Sequence, residues 1–286
     1  MKKHIVTIAI IVVFLAGLSV LLYPYVADYF NSIRQSRAVA SYKRAVEQLS
    51  VTDSAALFEA AHAYNDRLRI NQNRFKPTEE DTEEYNKQLN FAPGGIMGTL
   101  EIELINVMLP IYHGTSESVL QVGAGHLEGS SLPVGGIGTH AAVTAHRGLP
   151  SSTLLTNLDR MMIGDTFAIH ILGEILWYQV DQIVDVDPDD FTELAIVPDI
   201  DYCTVFTCTP YGINSHRMMV RGFRVEGPEG EPVETHPEAA IDVRSEAGRV
   251  DITPILLIAA TPVLVILLVI QIVRFHKKHG RWKNKQ

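Results

Sequence analysis

Two long apolar segments, one near each end, constrain this chain more than any other feature. Residues 5–23 and residues 255–273 are almost unbroken apolar sequence. Each is about as long as the roughly 20 residues that a helix needs to cross a bilayer core. Lysines precede the first segment, and lysines and arginines follow the second. Because basic flanks stay in the cytoplasm, we expect a two-span cell-membrane protein whose residues from about 24 to 253 are extracellular.

The first apolar segment has one competing interpretation, a cleaved signal peptide. Its apolar length exceeds the roughly 7–15 residues of a signal-peptide core, and no clear cleavage site follows it, so we expect an uncleaved anchor.

Between the two segments the chain is acidic, since all 33 Asp and Glu lie there, against 24 Lys and Arg in the whole chain. Such a surface repels nucleic acid, which we do not expect as a partner.

Composition divides the chain into regions. Residues 36–49 and 55–68 are rich in helix-forming residues and lack Gly and Pro, and residues 50–53 offer caps between them. The predicted regions are a cytoplasmic tip with the N-terminal transmembrane anchor (1–24), a helical prefix and loop (25–94), a β-barrel (95–227), an acidic linker (228–253), a transmembrane helix (254–273) and a basic cytoplasmic tail (274–286).

From Gly95 the pattern changes to short strands separated by turn residues. The predicted strands are residues 97–102, 107–111, 139–145, 166–172, 177–186, 202–208 and 217–225. A tight turn is expected at residues 173–174, and a short helix near residues 191–194. Strands with little helix between them favour an all-β fold, either a barrel or a sandwich.

The chain has two cysteines, and the pattern gives them different roles. Cys203 and Cys208 are five positions apart on one predicted strand, so they point to opposite faces about 16 Å apart and cannot form a disulfide with each other. We interpret Cys203 as a core residue. Cys208 lies at the strand end just before Pro210, where its thiol can be reached. An unpaired extracellular thiol is a candidate reactive group.

A histidine and an arginine near other strand ends could activate this thiol. A thiol is mostly protonated at neutral pH, and a nearby base or cation is needed to convert it to thiolate. His146 follows the predicted strand 139–145 and could act as the base and later as the general acid. Arg217 begins the strand after Cys208 and could stabilise an oxyanion. The three residues together predict acyl-transfer chemistry.

Other kinds of site fit the sequence poorly. Residues 123–129 resemble a phosphate-binding glycine loop, but the spacing is off by one residue and no helix pattern follows. His140 and His146 would be about 20 Å apart on one strand, too far to share a metal. We therefore expect no metal and no cofactor. A non-enzymatic surface adhesion or receptor module remains the alternative from another functional class.

Three motifs resemble those of one enzyme family. Residues 204–208, Thr-Val-Phe-Thr-Cys, match the sortase signature Thr-Leu-x-Thr-Cys with Val in place of Leu. Residues 144–148 and 216–222 are similar to the sortase histidine and arginine segments. Residues 111–117 and 125–133 resemble the class C, pilin-polymerising subgroup. The resemblance implies an eight-stranded barrel with Cys208, His146 and Arg217 as catalytic residues. We assign Thr207, next to the thiol, to substrate binding.

The resemblance also implies a reaction. The thiolate would cleave a Leu-Pro-x-Thr-Gly-like sorting signal between Thr and Gly, and the acyl group would pass to a lysine of the next pilin subunit as an isopeptide bond. Pilin subunits and the membrane are the expected partners. The alternative is a sortase that anchors surface proteins to the peptidoglycan of a Gram-positive cell wall. The C-terminal span and the helical prefix favour pilus assembly.

One segment departs from the class C pattern. These enzymes usually carry an Asp-Pro-aromatic lid before the barrel, with the aromatic ring over the thiol. This chain has Asn73, Arg74 and Phe75 at the nearest position, with Pro77 after them. We expect Phe75, with Arg74 beside it, to serve as the lid. A solvated loop is the alternative.

Overall fold

The computed structural model describes residues 2–227 of the 286-residue chain. The described residues fall into two compact units, one that contains residues 2–25 and one that contains residues 26–227. The predicted acidic linker, second transmembrane helix and basic tail (228–286) lie outside the described residues, so these assignments stay predictions. The boundaries proposed for the other regions likewise remain predictions.

Helix α1 runs from Lys2 to Glu47. Its segment Ile10–Glu47 contains an 18-residue window with a mean hydropathy of 2.3, none of it buried. By length and composition this helix can cross a membrane, as the N-terminal anchor requires. A signal sequence has the same properties, and the two-span topology stays a prediction.

Two further helices precede the barrel: α2 (Val51–Ile70) and α3 (Glu79–Lys87). The Ser50 side chain accepts a hydrogen bond from the Asp53 amide and so begins α2, as the sequence predicts. A reciprocal capping box between Thr78 and Asp81 begins α3. The label all-β is therefore wrong for the chain as a whole. The helix-forming sequence between residue 26 and Gly95 folds into helices that belong to the same compact unit as the barrel.

Within residues 2–227, eight strands close into a barrel in the order β1-β2-β3-β4-β7-β8-β6-β5. The strands are β1 (Ile96–Ile102), β2 (Val107–His113), β3 (Ala124–His126), β4 (Thr139–Thr144), β5 (Thr166–Ile171), β6 (Glu174–Val186), β7 (Asp201–Thr209) and β8 (His216–Val225). This confirms the eight-stranded barrel. A short 3-10 helix, Thr192–Leu194, lies between β6 and β7 near its expected position.

The strand pattern missed β3, which has only three residues and carries a glycine. A side chain at Gly125 would put a Cβ atom 2.4 Å from the carbonyl oxygen of Gly114, so the strands meet here only because Gly125 has none. The tight turn between β5 and β6 is formed by Leu172 and Gly173, both with positive φ, one residue earlier than expected.

Polar side chains join the helices to the barrel. The Tyr42 hydroxyl, on α1, donates to the Met97 carbonyl at 3.1 Å and accepts from the Leu172 amide at 2.9 Å. The Asn65 amide, on α2, donates to the Leu132 carbonyl at 3.1 Å and accepts from the Leu132 amide at 2.7 Å. These bonds satisfy backbone groups that would otherwise be buried without partners.

Replacing Tyr42 with Phe should therefore destabilise the fold. Leu172 N–H and Met97 C=O would lose their partner in a buried position, which costs about 1–3 kcal/mol of unfolding free energy. Urea unfolding measures this loss. Tyr64→Phe is the matched control, because the Tyr64 hydroxyl bonds to none of the described residues, and it should change stability by less. Equal effects of the two substitutions would contradict the bridging role.

His126 and His140 are held neutral by burial inside the barrel wall. The His126 ring contacts the Tyr85 hydroxyl at 3.0 Å and the Ser131 carbonyl at 2.8 Å. The His140 ring contacts the Ala195 carbonyl at 2.9 Å and the Thr204 hydroxyl at 2.8 Å. Burial lowers the pKa of both histidines to about 4.

This lowered pKa predicts acid sensitivity in a defined window. In the unfolded chain both rings protonate at their ordinary pKa of about 6.5, whereas in the folded barrel they stay neutral down to about pH 4. The free energy of unfolding is therefore unaffected by these rings above about pH 6.5 and falls as the pH drops towards 4. Urea unfolding at several pH values between 7 and 5 should show the free energy declining. His140→Asn should weaken that slope. A flat profile between pH 7 and 5 would contradict the assignment.

Candidate active site

The pairing of β7 with its two neighbours defines the candidate active site. In the antiparallel β7–β8 ladder, Cys208 lies directly opposite Arg217, and such facing residues have Cβ atoms about 4.5–5.5 Å apart. In the parallel β4–β7 ladder, the last pair is Thr144 with Phe206. His146 and Cys208 each follow two residues after this last pair, so both lie at the same end of the β4–β7 pair. The barrel thus collects the three predicted catalytic residues at one end of β7.

Two threonine hydroxyls hold this end of the barrel together. Thr144 Oγ1 donates to the Phe206 carbonyl at 2.8 Å, and Thr207 Oγ1 donates to the Ala145 carbonyl at 2.8 Å. The second bond fixes the residue just before His146. Thr207 is fully buried, so its side chain offers no surface to a substrate. The geometry gives Thr207 a positioning role in place of the substrate contact expected from the sequence.

The two cysteines lie on opposite faces of β7, as predicted. Cys203 is completely buried in the barrel core with Val205, and burial raises the pKa of its thiol. Cys208 is partly exposed, and neither cysteine forms a disulfide. Cys208 is therefore the thiol that a substrate can reach.

His146 has a partner that the sequence did not single out. Its Nε2 atom lies 3.1 Å from Oε2 of Glu117, the first residue of the short helix α4 (Glu117–Leu120). Gln121 donates to the other carboxylate oxygen at 2.9 Å. The Gln121 hydrogen bond and the nearby His146 together lower the pKa of the Glu117 carboxyl. No periodicity or motif connects residues 117 and 146, because only the folded barrel brings them together.

The structure also distinguishes Arg217 from Arg221, two of the three arginines of β8. Arg217 donates from Nη1 to the carbonyls of Asn214 at 3.2 Å and His216 at 3.0 Å, so it makes no side-chain ion pair among the described residues. Arg221 lies opposite Thr204 and forms a two-bond pair with Asp181 at 2.8 and 3.0 Å. Arg221 is thus four residues away from the position opposite Cys208, and its guanidinium is already paired with Asp181. Arg217 is the better candidate for an interaction with the thiol.

The loop between α2 and α3 is docked on the barrel. Arg74 donates to the carbonyls of Gly129 at 3.1 Å and Leu194 at 2.7 Å. The Phe75 ring stacks on Phe191, with ring centroids 4.5 Å apart. The guanidinium of Arg74 lies 4.4 Å from the centroid of the Phe75 ring. These contacts hold the loop against the barrel, so it is not a solvated loop.

Gly129 permits this close docking. A Cβ atom at this position, where φ is +90°, would lie 2.3 Å from the Arg74 carbonyl oxygen. Phe75 packs against an apolar cluster that includes Phe206. Phe206 is two residues from Cys208 and so on the same face of β7, about 7 Å away along the strand. The loop therefore packs against the face of β7 that also carries Cys208.

Comparisons with known proteins agree with this geometry. The family described as "Sortase domain" matches residues 100–225. The chain is similar to sortase C1 from Streptococcus agalactiae, with 46% identity, a TM-score of 0.65, and coverage of 67% of this chain and 100% of that one. A sortase C from Streptococcus pneumoniae, described in terms of catalysis and pilin substrate specificity, has 44% identity, a TM-score of 0.60, and coverage of 68% and 99%. A lid mutant of sortase A from Corynebacterium diphtheriae has 39% identity, a TM-score of 0.57, and coverage of 64% and 99%.

These findings establish the family. The chain belongs to the sortases, which are cysteine transpeptidases, and its structural neighbours place it in class C. The enzyme interpretation thus prevails over the non-enzymatic adhesion module. Among the described residues, no group of three or more His, Cys, Asp or Glu is arranged to hold a metal ion.

The docked loop makes a prediction about access to the thiol. Phe75→Ala should speed alkylation of Cys208 several-fold, because the substitution removes a ring that packs against the face of β7 on which Cys208 lies. Mass spectrometry with iodoacetamide reports Cys208 alone, since Cys203 is buried. Phe30→Ala, at an exposed aromatic residue on α1, is the control and should leave the rate unchanged. An unchanged rate for Phe75→Ala would rule out the lid.

Proposed function

We propose that this protein is a membrane-anchored transpeptidase that cleaves a Leu-Pro-x-Thr-Gly-like sorting signal between Thr and Gly and joins it to a pilin lysine. The observation that carries the proposal is the strand register that sets Cys208 opposite Arg217 and leaves His146 just past the matching end of the neighbouring strand β4. We assign these three residues as catalytic. The partial exposure of Cys208 supports access by an extended peptide.

In the first half-reaction, His146 takes the proton of the Cys208 thiol. The thiolate attacks the carbonyl carbon of the signal's threonine, and the Arg217 guanidinium stabilises the oxyanion that forms. The tetrahedral intermediate then collapses. The C–N bond to glycine breaks, the amine leaves with a proton from the His146 imidazolium, and a thioester remains on Cys208.

In the second half-reaction, a neutral lysine amine attacks the thioester carbon. The amine loses a proton to His146 as the C–S bond breaks, and Cys208 recovers its thiol. The product is an isopeptide bond between two pilin subunits. Each acceptor subunit carries its own sorting signal, so repetition of the two half-reactions polymerises the pilus.

The nature of the acceptor separates the two candidate functions. Pilin as acceptor is supported by the similarity to the class C enzymes of S. agalactiae and S. pneumoniae, the second described with pilin substrate specificity. A peptidoglycan amine as acceptor would use the same chemistry to anchor surface proteins to the cell wall. In both cases the α1 anchor and the predicted second span would place the barrel outside the cell membrane.

We further propose that Arg74 and Phe75 form the lid of this enzyme. The hydrogen bonds from Arg74 to two barrel carbonyls and the stacking of Phe75 on Phe191 support this role. The relative from C. diphtheriae also has a lid by its description. In this chain an Arg-Phe pair takes the place of the Asp-Pro-aromatic pattern.

Replacing Cys208 with Ala should abolish both half-reactions. With a purified pilin that carries a sorting signal, the wild-type protein should form SDS-resistant ladders and Cys208→Ala should form none. Cys203→Ala is the matched control and should retain ladder formation, because Cys203 is a core residue away from the site. Ladders formed by Cys208→Ala would contradict the proposed function. Attachment to a peptidoglycan fragment without pilin ladders would favour the cell-wall alternative.

A further inference from the structure

The contact between Glu117 and His146 has a chemical consequence for the histidine. The separation of His146 Nε2 from Glu117 Oε2 is 3.1 Å. An ionised carboxylate can only accept hydrogen bonds, so Nε2 carries the proton of the neutral imidazole. The other ring nitrogen, Nδ1, is then the atom with a free lone pair. One contact thus decides which nitrogen can act as a base.

Glu117 is held in place by its own local structure. Helix α4 is closed by bonds from the Val119 and Leu120 amides to the Ser116 carbonyl, each 3.0 Å. The Gln121 side chain fixes the second oxygen of the Glu117 carboxylate. An acidic residue in the first turn of a helix is also stabilised by the free amides there. The carboxylate therefore has a defined position and stays ionised.

Helix α4, which begins with Glu117, is connected through β3 to β4, the strand that precedes His146. Helix α4 packs on β3 so closely that a Cβ atom added to Gly125 would lie 3.1 Å from the Leu120 side chain and 3.2 Å from the Val119 side chain. Gly125 pairs in turn with Thr144 at the end of β4. The His146 backbone is fixed as well, since its carbonyl accepts from the Leu155 amide at 3.1 Å. Both partners thus rest on the same part of the barrel.

We propose that Glu117 is a positioning residue that orients His146 towards Cys208, so that the three residues act as a triad. This inference rests on the proposed function. Glu117 holds the Nε2–H of His146, so Nδ1 takes the proton from the Cys208 thiol. The imidazolium that results keeps its Nε2–H bond to the carboxylate. It later returns the Nδ1 proton to the leaving glycine amine, and no proton passes to Glu117.

The competing interpretation is a surface ion pair without function. The Glu117 side chain is 66% exposed, whereas that of His146 is 21% exposed, and exposed pairs contribute little to stability. A positioning role therefore has to show itself in the chemistry rather than in the folding free energy. Among the described residues, Glu117 is the ionisable side chain in direct contact with His146, and the adjacent Arg147 is paired with Asp159.

The test compares Glu117→Ala and Glu117→Gln with Glu103→Ala, a control that removes an exposed carboxylate away from the site. Cleavage of a fluorogenic sorting-signal peptide gives kcat, KM and their pH dependence. Glu117→Ala should lower kcat about tenfold, a fraction of what a general base contributes, and leave KM unchanged. Glu117→Gln keeps a hydrogen-bond acceptor and should lose less. In both variants the acidic limb of the pH–rate profile should move to lower pH, because a carboxylate that stabilises positive charge beside it is gone.

A second readout needs no sorting signal. Alkylation of Cys208 at pH 7 should slow in Glu117→Ala relative to Glu103→Ala, because an imidazole without its carboxylate partner is no longer positioned to take the thiol proton. Failure of the wild-type protein to cleave any sorting-signal peptide would count against the proposed function, and the alkylation rates would still test Glu117. Wild-type rates and pH profile in Glu117→Ala would overturn the positioning role. So would equal losses in the Ala and Gln variants with an unshifted pH limb, the signature of a merely structural role.

Discussion

The site depends on β7 being paired on both sides at its Cys208 end. The parallel ladder with β4 sets where His146 arrives, and the antiparallel ladder with β8 sets where Arg217 arrives. A shift of one residue in either ladder would move the corresponding side chain to the opposite face of the sheet. The bonds from Thr144 and Thr207 across the β4–β7 junction resist such a shift. The chemistry is therefore fixed by backbone pairing and does not rely on flexible loops.

The segments next to this end of β7 are held to the barrel by fewer and more local contacts. Arg74 and Phe75 reach the barrel through two hydrogen bonds and one stacked ring pair. Glu117 reaches His146 from a helix of only four residues. Small elements of this kind open at lower free-energy cost than core strands. Strand β7, which carries Cys208, is rigid, whereas the Arg74–Phe75 loop and α4 can move more easily. This combination suits an enzyme that must admit two substrates in succession.

The sequence predicted the centre well and its surroundings less well. Cys208, His146 and Arg217 could be found because each lies near a strand end, and strand ends meet at the rim of a barrel. Strand β3 escaped notice because three residues with a glycine carry no alternation. Thr207 was misjudged because its neighbour Cys208 points outward, and adjacent strand residues point to opposite faces. Glu117 could not be predicted, since its contact with His146 spans 29 residues and follows from tertiary packing alone.

The central claim is that the strand register makes Cys208 the nucleophile of an acyl transfer. Intact-mass spectrometry after incubation with a sorting-signal peptide, followed by peptide mapping, tests it most directly. The account predicts an adduct on Cys208 whose mass equals the peptide up to its threonine, linked as a hydroxylamine-sensitive thioester, together with release of the glycine fragment. Cleavage of the peptide with the covalent adduct on another residue, or with no dependence on Cys208, would contradict it.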